Sequence, residues 1–313
     1  MKLRGHETFF IRKGWLSKGM KYVSQQPDVF TAKESDRKPM DVLGIGSNMV
    51  LSLRYWLQAV GLTTEYKGEN GKRIQKLTSF GELVFANDRY IEEIGTLYLL
   101  QYKLASNENL ATSWYFFLNH FSILEFTQED FIANLQKYII ANTKDGEKET
   151  GTLKTLTDDF LCILGTYLPR KVSDKDESFS PENNISCPFS ELGLLVSLRN
   201  SGDKKKGLYK KAIPNSANFN PFVILAVIAD RAKGNAEINL NELLIGDCNI
   251  GKIFNLDTIT MIEVLRQAEK IDALKIIRTA GLDVVRLTHP EKSFLDYVRD
   301  FYGSLENYSG ERI

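Results

Sequence analysis

Residues 40–78 have the sequence MDVLGIGSNMVLSLRYWLQAVGLTTEYKGENGKRIQKLT, and this stretch decides the predicted fold. It predicts a short helix at about Met40–Leu43, a turn at Gly44-Ile45-Gly46 and a longer helix over Ser47–Val60. Ser47 is a natural N-cap for the longer helix. Gly61 is a natural stop, because glycine readily adopts the left-handed conformation that ends many helices.

The same stretch ends in a predicted β-hairpin. The runs Leu62–Tyr66 and Lys72–Thr78 suit strands, and Asn70-Gly71 between them favours a tight hairpin turn. Helix, turn, helix and hairpin in this order indicate a winged helix-turn-helix, in which the second helix enters the major groove of DNA and the hairpin follows the backbone. The alternative is a unit of this shape that only packs or binds protein.

The charge distribution agrees with DNA binding. The chain is neutral overall, but residues 1–80 carry 14 basic and 7 acidic side chains, a net charge of +7, and residues 81–160 carry 6 and 13, a net charge of −7. A basic N-terminal quarter favours a polyanionic partner. The predicted DNA-binding residues are Lys18, Lys21, Ser47, Asn48, Arg54, Lys67, Lys72, Arg73 and Lys76.

The whole chain predicts a mainly helical α+β protein, with a helical bundle and small β-hairpins. Aromatic-rich helices are predicted over residues 89–104 and 110–143, the second with His120 as a core residue. A polar, glycine-containing segment then indicates a boundary between two domains. Residues 1–145 would form a basic winged-helix and helical DNA-binding domain, and residues 152–313 a helical domain.

The C-terminal half predicts a second winged-helix-like unit, because helices are again followed by two strands. Its predicted elements are a helix near Pro221–Lys233, a short segment Glu237–Leu244, a helix Thr258–Glu269 capped by Asp257 or Thr258, and strands Leu274–Arg278 and Asp283–Thr288.

Cysteine usage and hydropathy predict a cytoplasmic protein without a membrane partner. The three cysteines are scattered and have no metal-binding spacing, which is typical of a reducing compartment. The N-terminus lacks the apolar run of a signal peptide. The most apolar stretch, Phe222–Ala229, is much shorter than a membrane span.

Two groups of residues are candidates for catalysis. His6 and Glu7 place an imidazole beside a carboxylate, which could hold a divalent metal through Glu7 or act as a general base, and Arg12 could bind a phosphate. Asp88 and Glu92 are the second pair, since their spacing could place both carboxylates on one helix face. The alternatives are charged residues that solvate a surface or begin a helix.

The chain also resembles a bacterial family of domains of unknown function, found beside sulfur-transfer proteins similar to phosphoadenosine-phosphosulfate reductases. The motifs that carry the resemblance are Gly5-His6-Glu7-Thr8-Phe9 with Arg12, Leu43-Gly44-Ile45-Gly46 with Asn48-Met49-Val50, Arg54-Tyr55-Trp56, and Cys187-Pro188-Phe189 with Glu191-Leu192-Gly193. The family includes the DNA-nicking member of a single-stranded DNA phosphorothioation system.

The resemblance implies a DNA-binding component of a bacterial defence system, which opens one DNA strand so that sulfur can replace a backbone oxygen. Its partners would be DNA and the sulfur-transfer and ATPase proteins of the same system. Strand nicking by an endonuclease would require Mg²⁺ or Mn²⁺ held by carboxylates. The alternatives are a winged-helix adaptor without catalysis and a transcription regulator.

Overall fold

A computed structural model describes residues 1–32, 38–68, 71–143, 151–169, 186–199, 207–279 and 282–310. Asn70 of the predicted turn and residues 144–150, at the predicted domain boundary, lie outside these ranges. The described chain is mainly helical with small antiparallel sheets, which confirms the predicted mixed class. None of its helices combines the length and the apolar character needed to span a membrane.

The N-terminal elements follow the predicted order. They are α1 (Trp15–Gln25), α2 (Pro39–Leu43), α3 (Ser47–Ala59), β1 (Thr63–Lys67) and β2 (Arg73–Leu77). Strands β1 and β2 form a two-stranded antiparallel sheet. Gly44 and Gly61 have φ values of 61° and 75°, as expected for turns that end helices. Ser47 is the first residue of α3, and not its N-cap: Gly46 takes that position, with an extended backbone.

The middle of the chain differs from its prediction in two ways. Its elements are α4 (Ser79–Asn87), α5 (Ile94–Ala105), α6 (Thr112–Asn119), β3 (Glu125–Phe126), α7 (Gln128–Asn142) and α8 (Leu153–Tyr167). The predicted helix over 110–143 is interrupted, because Thr127 and Asp130 form a capping box that starts α7. His120 ends α6 as an exposed residue paired with Asp247, so its predicted core position is wrong.

The C-terminal half contains the predicted helices and strands and one sheet that the sequence did not predict. Its elements are a 3₁₀ helix (Pro188–Leu192), β4 (Leu195–Arg199), β5 (Leu208–Lys211), a 3₁₀ turn (Ser216–Asn218), α9 (Pro221–Ala232), β6 (Glu237–Asn239), α10 (Leu240–Ile245), α11 (Ile250–Ile253), α12 (Thr258–Lys270), β7 (Leu274–Thr279), β8 (Leu282–Leu287) and α13 (Phe294–Gly310). Asp257 caps α12. The strands form two antiparallel sheets of order β3-β5-β4 and β6-β8-β7.

Helix α9 lies at the centre of the packing. Its residues Val223–Ile228 are fully buried, and it contacts α5, α12 and α13. Helix α13 also packs against α4, so the C-terminal helix contacts an element of the N-terminal half. A hydrophobic cluster extends from Ile11 to Tyr302. The division into two domains stays a prediction.

The N-terminal loop before α1 is anchored by a buried histidine and aspartate. The Nε2 atom of His6 lies 2.7 Å from Oδ1 of Asp159, and Nδ1 accepts a 3.0 Å hydrogen bond from the amide of Thr8. Nε2 therefore carries the proton, which it donates to Asp159. The same carboxylate accepts the amide of Arg4 at 2.9 Å and the hydroxyl of Ser113 at 2.5 Å. His6, Ser113 and Asp159 are all buried.

Replacing Asp159 should destabilise the fold far more than replacing its neighbour Asp158. Asp159→Ala leaves the buried donors of His6 and Ser113 unpaired, and we expect the free energy of unfolding to fall by about 3–5 kcal/mol. Asp158→Ala removes a part-exposed ion pair with Arg4 and should cost about 1 kcal/mol or less. Urea unfolding followed by circular dichroism measures both, and equal losses would contradict the anchoring role.

Candidate functional site

A cavity of about 580 Å³ lies between three segments that are far apart in the sequence. These segments are the residues before and at the start of α1, the turn before α5 and the 3₁₀ helix Pro188–Leu192. The apolar part of its wall includes Ile11, Leu16 and Leu97, which belong to the core. The charged and aromatic side chains at the cavity are Arg12, Lys13, Tyr90, Glu92 and Glu191. Two cations and two carboxylates therefore share one concave site.

Arg12 is positioned by aromatic rings and by the start of α1. Its Cζ atom lies 5.8 Å from the ring centroid of Phe9 and 5.4 Å from that of Trp15, within the range of cation–π attraction. Its carbonyl accepts the amide of Trp15 at 3.0 Å. Gly14, at the N-cap of α1, has a φ of 80°, a left-handed conformation that favours glycine.

Glu92 is presented by a constrained turn that Asp88 holds. The two carboxylate oxygens of Asp88 accept the amides of Glu92 at 2.9 Å and Glu93 at 3.1 Å. Ile91, which lies between Asp88 and Glu92 in the sequence, has a φ of 55°, and a positive φ is a true outlier for a β-branched residue. The expected helix face shared by Asp88 and Glu92 is not formed, because this segment is a turn between α4 and α5. Asp88 is buried and orients Glu92 through the backbone.

Glu191 comes from the 3₁₀ helix, a contribution that spacing did not predict. Pro188 starts this helix, and Gly193, with a φ of 67°, ends it. Phe189 and Leu192 are buried beneath it and fix its position. Burial also raises the pKa of Cys187 to about 12, so the thiol at this cavity is neutral near pH 7. The sequence signal for Glu191 was its place in a motif of the family resemblance.

The predicted metal and base residues at the N-terminus do not reach this cavity. His6 is fully buried and engaged with Asp159, so its side chain does not meet solvent. Glu7 is part-buried in the same loop and does not line the cavity that holds Arg12. Within the described ranges, no group of three or more His, Cys, Asp and Glu side chains is placed to hold a metal ion. A metal ion in this cavity would be held by the carboxylate of Glu92 or of Glu191, and water and substrate would supply its other ligands.

A second, basic concavity of about 610 Å³ lies beside the β1–β2 hairpin. Lys67, Lys72 and Lys76 line it together with Tyr66. The Nζ atom of Lys76 lies 5.0 Å from the ring centroid of Tyr66, and the neighbouring Tyr66 side chain raises the pKa of Lys76. Three of the predicted DNA-binding lysines therefore share one surface, which we call the hairpin groove.

The other predicted DNA-binding residues are either exposed or bonded to other groups of the protein. Lys21, Ser47 and Asn48 are exposed. Lys18 donates to the carbonyl of Leu43 at 3.0 Å and so closes the end of α2. The predicted DNA contact of Lys18 stays a prediction.

Arg54 is also engaged within the protein. It pairs with Glu65 at 2.6 Å, and Arg73, which is mostly exposed, reaches the same carboxylate at 3.3 Å. Burial raises the pKa of Glu65, but the hydrogen bond and charge of Arg54 outweigh it and lower the pKa below its usual range. Arg54 thus ties α3 to the hairpin, and its predicted role in DNA binding stays a prediction.

The described chain is therefore mainly helical, and it has two helix–hairpin units, α3 with β1–β2 and α12 with β7–β8. Its candidate site is a cavity lined by both cations and carboxylates. The chain belongs to the family described as "Protein of unknown function (DUF4007)", whose model matches residues 3–302, and this confirms the resemblance found in the sequence. A comparison with curated proteins gives no match.

Two solved structures are similar to this chain over most of its length. One is described as "SspB crystal structure", with a TM-score of 0.79, 24% identity, and coverage of 96% of this chain and 88% of that one. The other is described as "Magnesium ion-bound SspB crystal structure", with a TM-score of 0.77, 22% identity, and coverage of 100% and 97%. These likenesses show that the chain has the fold of SspB.

Loss of the Asp88 carboxylate should loosen the turn that presents Glu92. We expect Asp88→Ala to accelerate hydrogen exchange of the Glu92 and Glu93 amides about fivefold or more, because each loses a hydrogen bond worth about 1 kcal/mol. Asp130→Ala, which removes the carboxylate of the α7 capping box, is the matched control and should leave these amides unchanged. Unchanged exchange in Asp88→Ala would contradict the positioning role.

Proposed function

We propose that this protein is a DNA-binding component of a DNA phosphorothioation system and that it nicks one DNA strand at the cavity. The observation that carries this proposal is the convergence of Arg12, Lys13, Glu92 and Glu191 on one concave site. The likeness to SspB and the membership of the family that the sequence motifs indicated support it. As implied by the family resemblance, sulfur-transfer and ATPase proteins would be its partners.

The DNA-binding surface of the proposal is the unit formed by α1, α2, α3 and the β1–β2 hairpin. Its order of elements is that of a winged helix-turn-helix. Ser47 and Asn48 are exposed at the first turn of α3, the part of a recognition helix that meets base edges. The lysines of the hairpin groove supply phosphate contacts without sequence preference.

The proposed reaction is hydrolysis of a phosphodiester. A bond forms between a water oxygen and phosphorus, and one backbone phosphorus–oxygen bond breaks. Arg12 and Lys13 bind the phosphate and neutralise its charge, while Glu92 or Glu191 accepts a proton from the attacking water. The leaving oxygen takes its proton from solvent. Asp88 positions Glu92 for this role without touching the substrate.

The proposed cofactor is the Mg²⁺ or Mn²⁺ expected from the sequence. Magnesium commonly binds through one or two carboxylates, with water and substrate phosphate as its other ligands. Glu92 and Glu191 provide two carboxylates to the cavity, so one would hold the ion while the other accepts the proton from water. When bound, such an ion would stabilise the charge that develops at the phosphate. One of the two similar SspB structures is magnesium-bound, which supports this choice.

Lysines of the hairpin groove should set the salt dependence of DNA binding. Lys67→Gln and Lys72→Gln should each weaken binding to all sequences and lower the slope of log affinity against log salt by about one. Lys137→Gln, which removes an exposed lysine of α7, is the matched control and should leave the slope unchanged. Fluorescence anisotropy with a labelled duplex at several salt concentrations measures this, and an unchanged slope in both groove variants would exclude the groove as a phosphate contact.

Strand nicking should depend on the carboxylates at the cavity. Glu92→Gln and Glu191→Gln should each lower the rate of nicking by about 100-fold or more, the usual loss for a general base or a metal ligand. DNA affinity should stay the same or rise, because each change removes a negative charge. Conversion of supercoiled plasmid to open circle with Mg²⁺, Mn²⁺ or EDTA measures the rate.

Two further variants make this test specific. Glu129→Gln removes an exposed carboxylate at the start of α7 and should nick at the normal rate. Glu7→Gln tests the N-terminal site predicted from the sequence. If the Glu92 and Glu191 variants nick at the normal rate and Glu7→Gln does not nick, the reaction does not take place at the cavity. DNA binding without nicking under every condition would favour an adaptor.

A further inference from the structure

We propose that the cavity receives one nucleotide unstacked from the DNA strand, with its base against Tyr90 and its phosphate at Arg12 and Lys13. The inference rests on the proposed function, because it assigns the substrate of the same site. It goes further in one respect: a strand can be cut with every base still stacked, whereas the inference requires one base to leave the stack and enter the cavity.

The size and the wall of the cavity exceed what a phosphate contact needs. Proteins usually bind phosphates with exposed cations and backbone amides, which require no apolar recess. This cavity of about 580 Å³ falls within the range typical of sites for small organic ligands. Ile11, Leu16 and Leu97, which are at most 3% exposed, form the apolar part of its lining, and Arg12, Lys13, Glu92 and Glu191 form the charged part. A nucleotide also has an apolar and a charged part, because its base is aromatic and its phosphate is negatively charged.

Tyr90 supplies the stacking surface. Its side chain is 65% exposed although it is a large aromatic residue, and it lines the cavity beside Glu92. Aromatic side chains bind unstacked bases by stacking, and every base has a face that can stack. The turn that carries Tyr90 is fixed by the hydrogen bonds from Glu92 and Glu93 to Asp88, and by the amide of Ile91, which donates to the Asp88 carbonyl at 3.1 Å. The ring is therefore exposed on a rigid support.

The cations come from a different segment of the lining, the residues just before α1. Arg12 is held against Phe9 and Trp15, and Lys13 follows it directly. A nucleotide has its base and its phosphate on opposite sides of the sugar, so one that spans the cavity can meet Tyr90 and the cations at the same time. Inside a duplex the base is stacked and paired, so entry requires extrusion, which costs less for a base that has no partner.

A duplex with one unpaired nucleotide tests the inference directly. We would measure the dissociation constants of the full chain for three labelled duplexes by fluorescence anisotropy: fully paired, with one unpaired nucleotide, and with one unpaired abasic residue at the same place. Because the unpaired nucleotide has no base pair to break and its extrusion costs less, we expect the second duplex to bind about tenfold or more tightly than the first. The abasic duplex has the same flexible backbone without a base and should bind like the first.

Two variants of Tyr90 complete the test. Tyr90→Ala should lose the preference for the unpaired nucleotide, and Tyr90→Phe should keep it, because the phenyl ring stacks equally well. Since the side chain is 65% exposed, neither variant should affect folding. Equal affinity for the paired and unpaired duplexes, or a preference that persists with the abasic residue or in Tyr90→Ala, would overturn the inference while leaving DNA binding intact. Absence of binding to all three duplexes would overturn the proposed function itself.

Discussion

The buried carboxylate of Asp159 is the constraint on which the N-terminal half depends. A buried charge is costly unless its oxygens are paired, and those of Asp159 accept from the Arg4 amide, the His6 ring and the Ser113 hydroxyl. These groups come from the N-terminal loop and from α6, while the aspartate lies on α8. One carboxylate thus joins three parts of the chain whose sequence separation reaches 155 residues.

The same loop continues from this anchor to the candidate site. After His6, the carbonyl of Phe9 accepts the indole N–H of Trp56 at 2.8 Å, which fastens the loop to α3. Ile11 is then buried in the core, so Arg12 emerges at the cavity in a defined position. At the turn before α5, Asp88 fixes the position of Glu92 by accepting its amide. Ile91 in this turn adopts a strained left-handed backbone conformation. Strain of this kind persists where the surrounding structure enforces it, and it occurs often at functional sites.

Local features of the fold were predictable from the sequence, whereas contacts between distant segments were not. The positions of α3, the hairpin and the Asp257 cap depend on residues within a few positions of each other. His6 and Asp159 are 153 residues apart, and no pattern in either segment pairs them. Helix periodicity also gave no sign that Arg54, a predicted DNA contact, pairs with Glu65 on β1. Likewise, only the folded chain brings Arg12, Glu92 and Glu191 to one cavity.

The two helix–hairpin units both end in a helix followed by a hairpin, but they differ in surface chemistry. The first turn of α3 exposes Ser47 and Asn48, and the lysines of the hairpin groove lie on the same unit. In the second unit, the first turns of α12 expose Ile259, at 71%, and Glu263. An apolar and an acidic side chain at that end would meet the phosphates of DNA unfavourably. Because function depends on surface residues and not on topology, the proposed DNA contact is placed on the first unit.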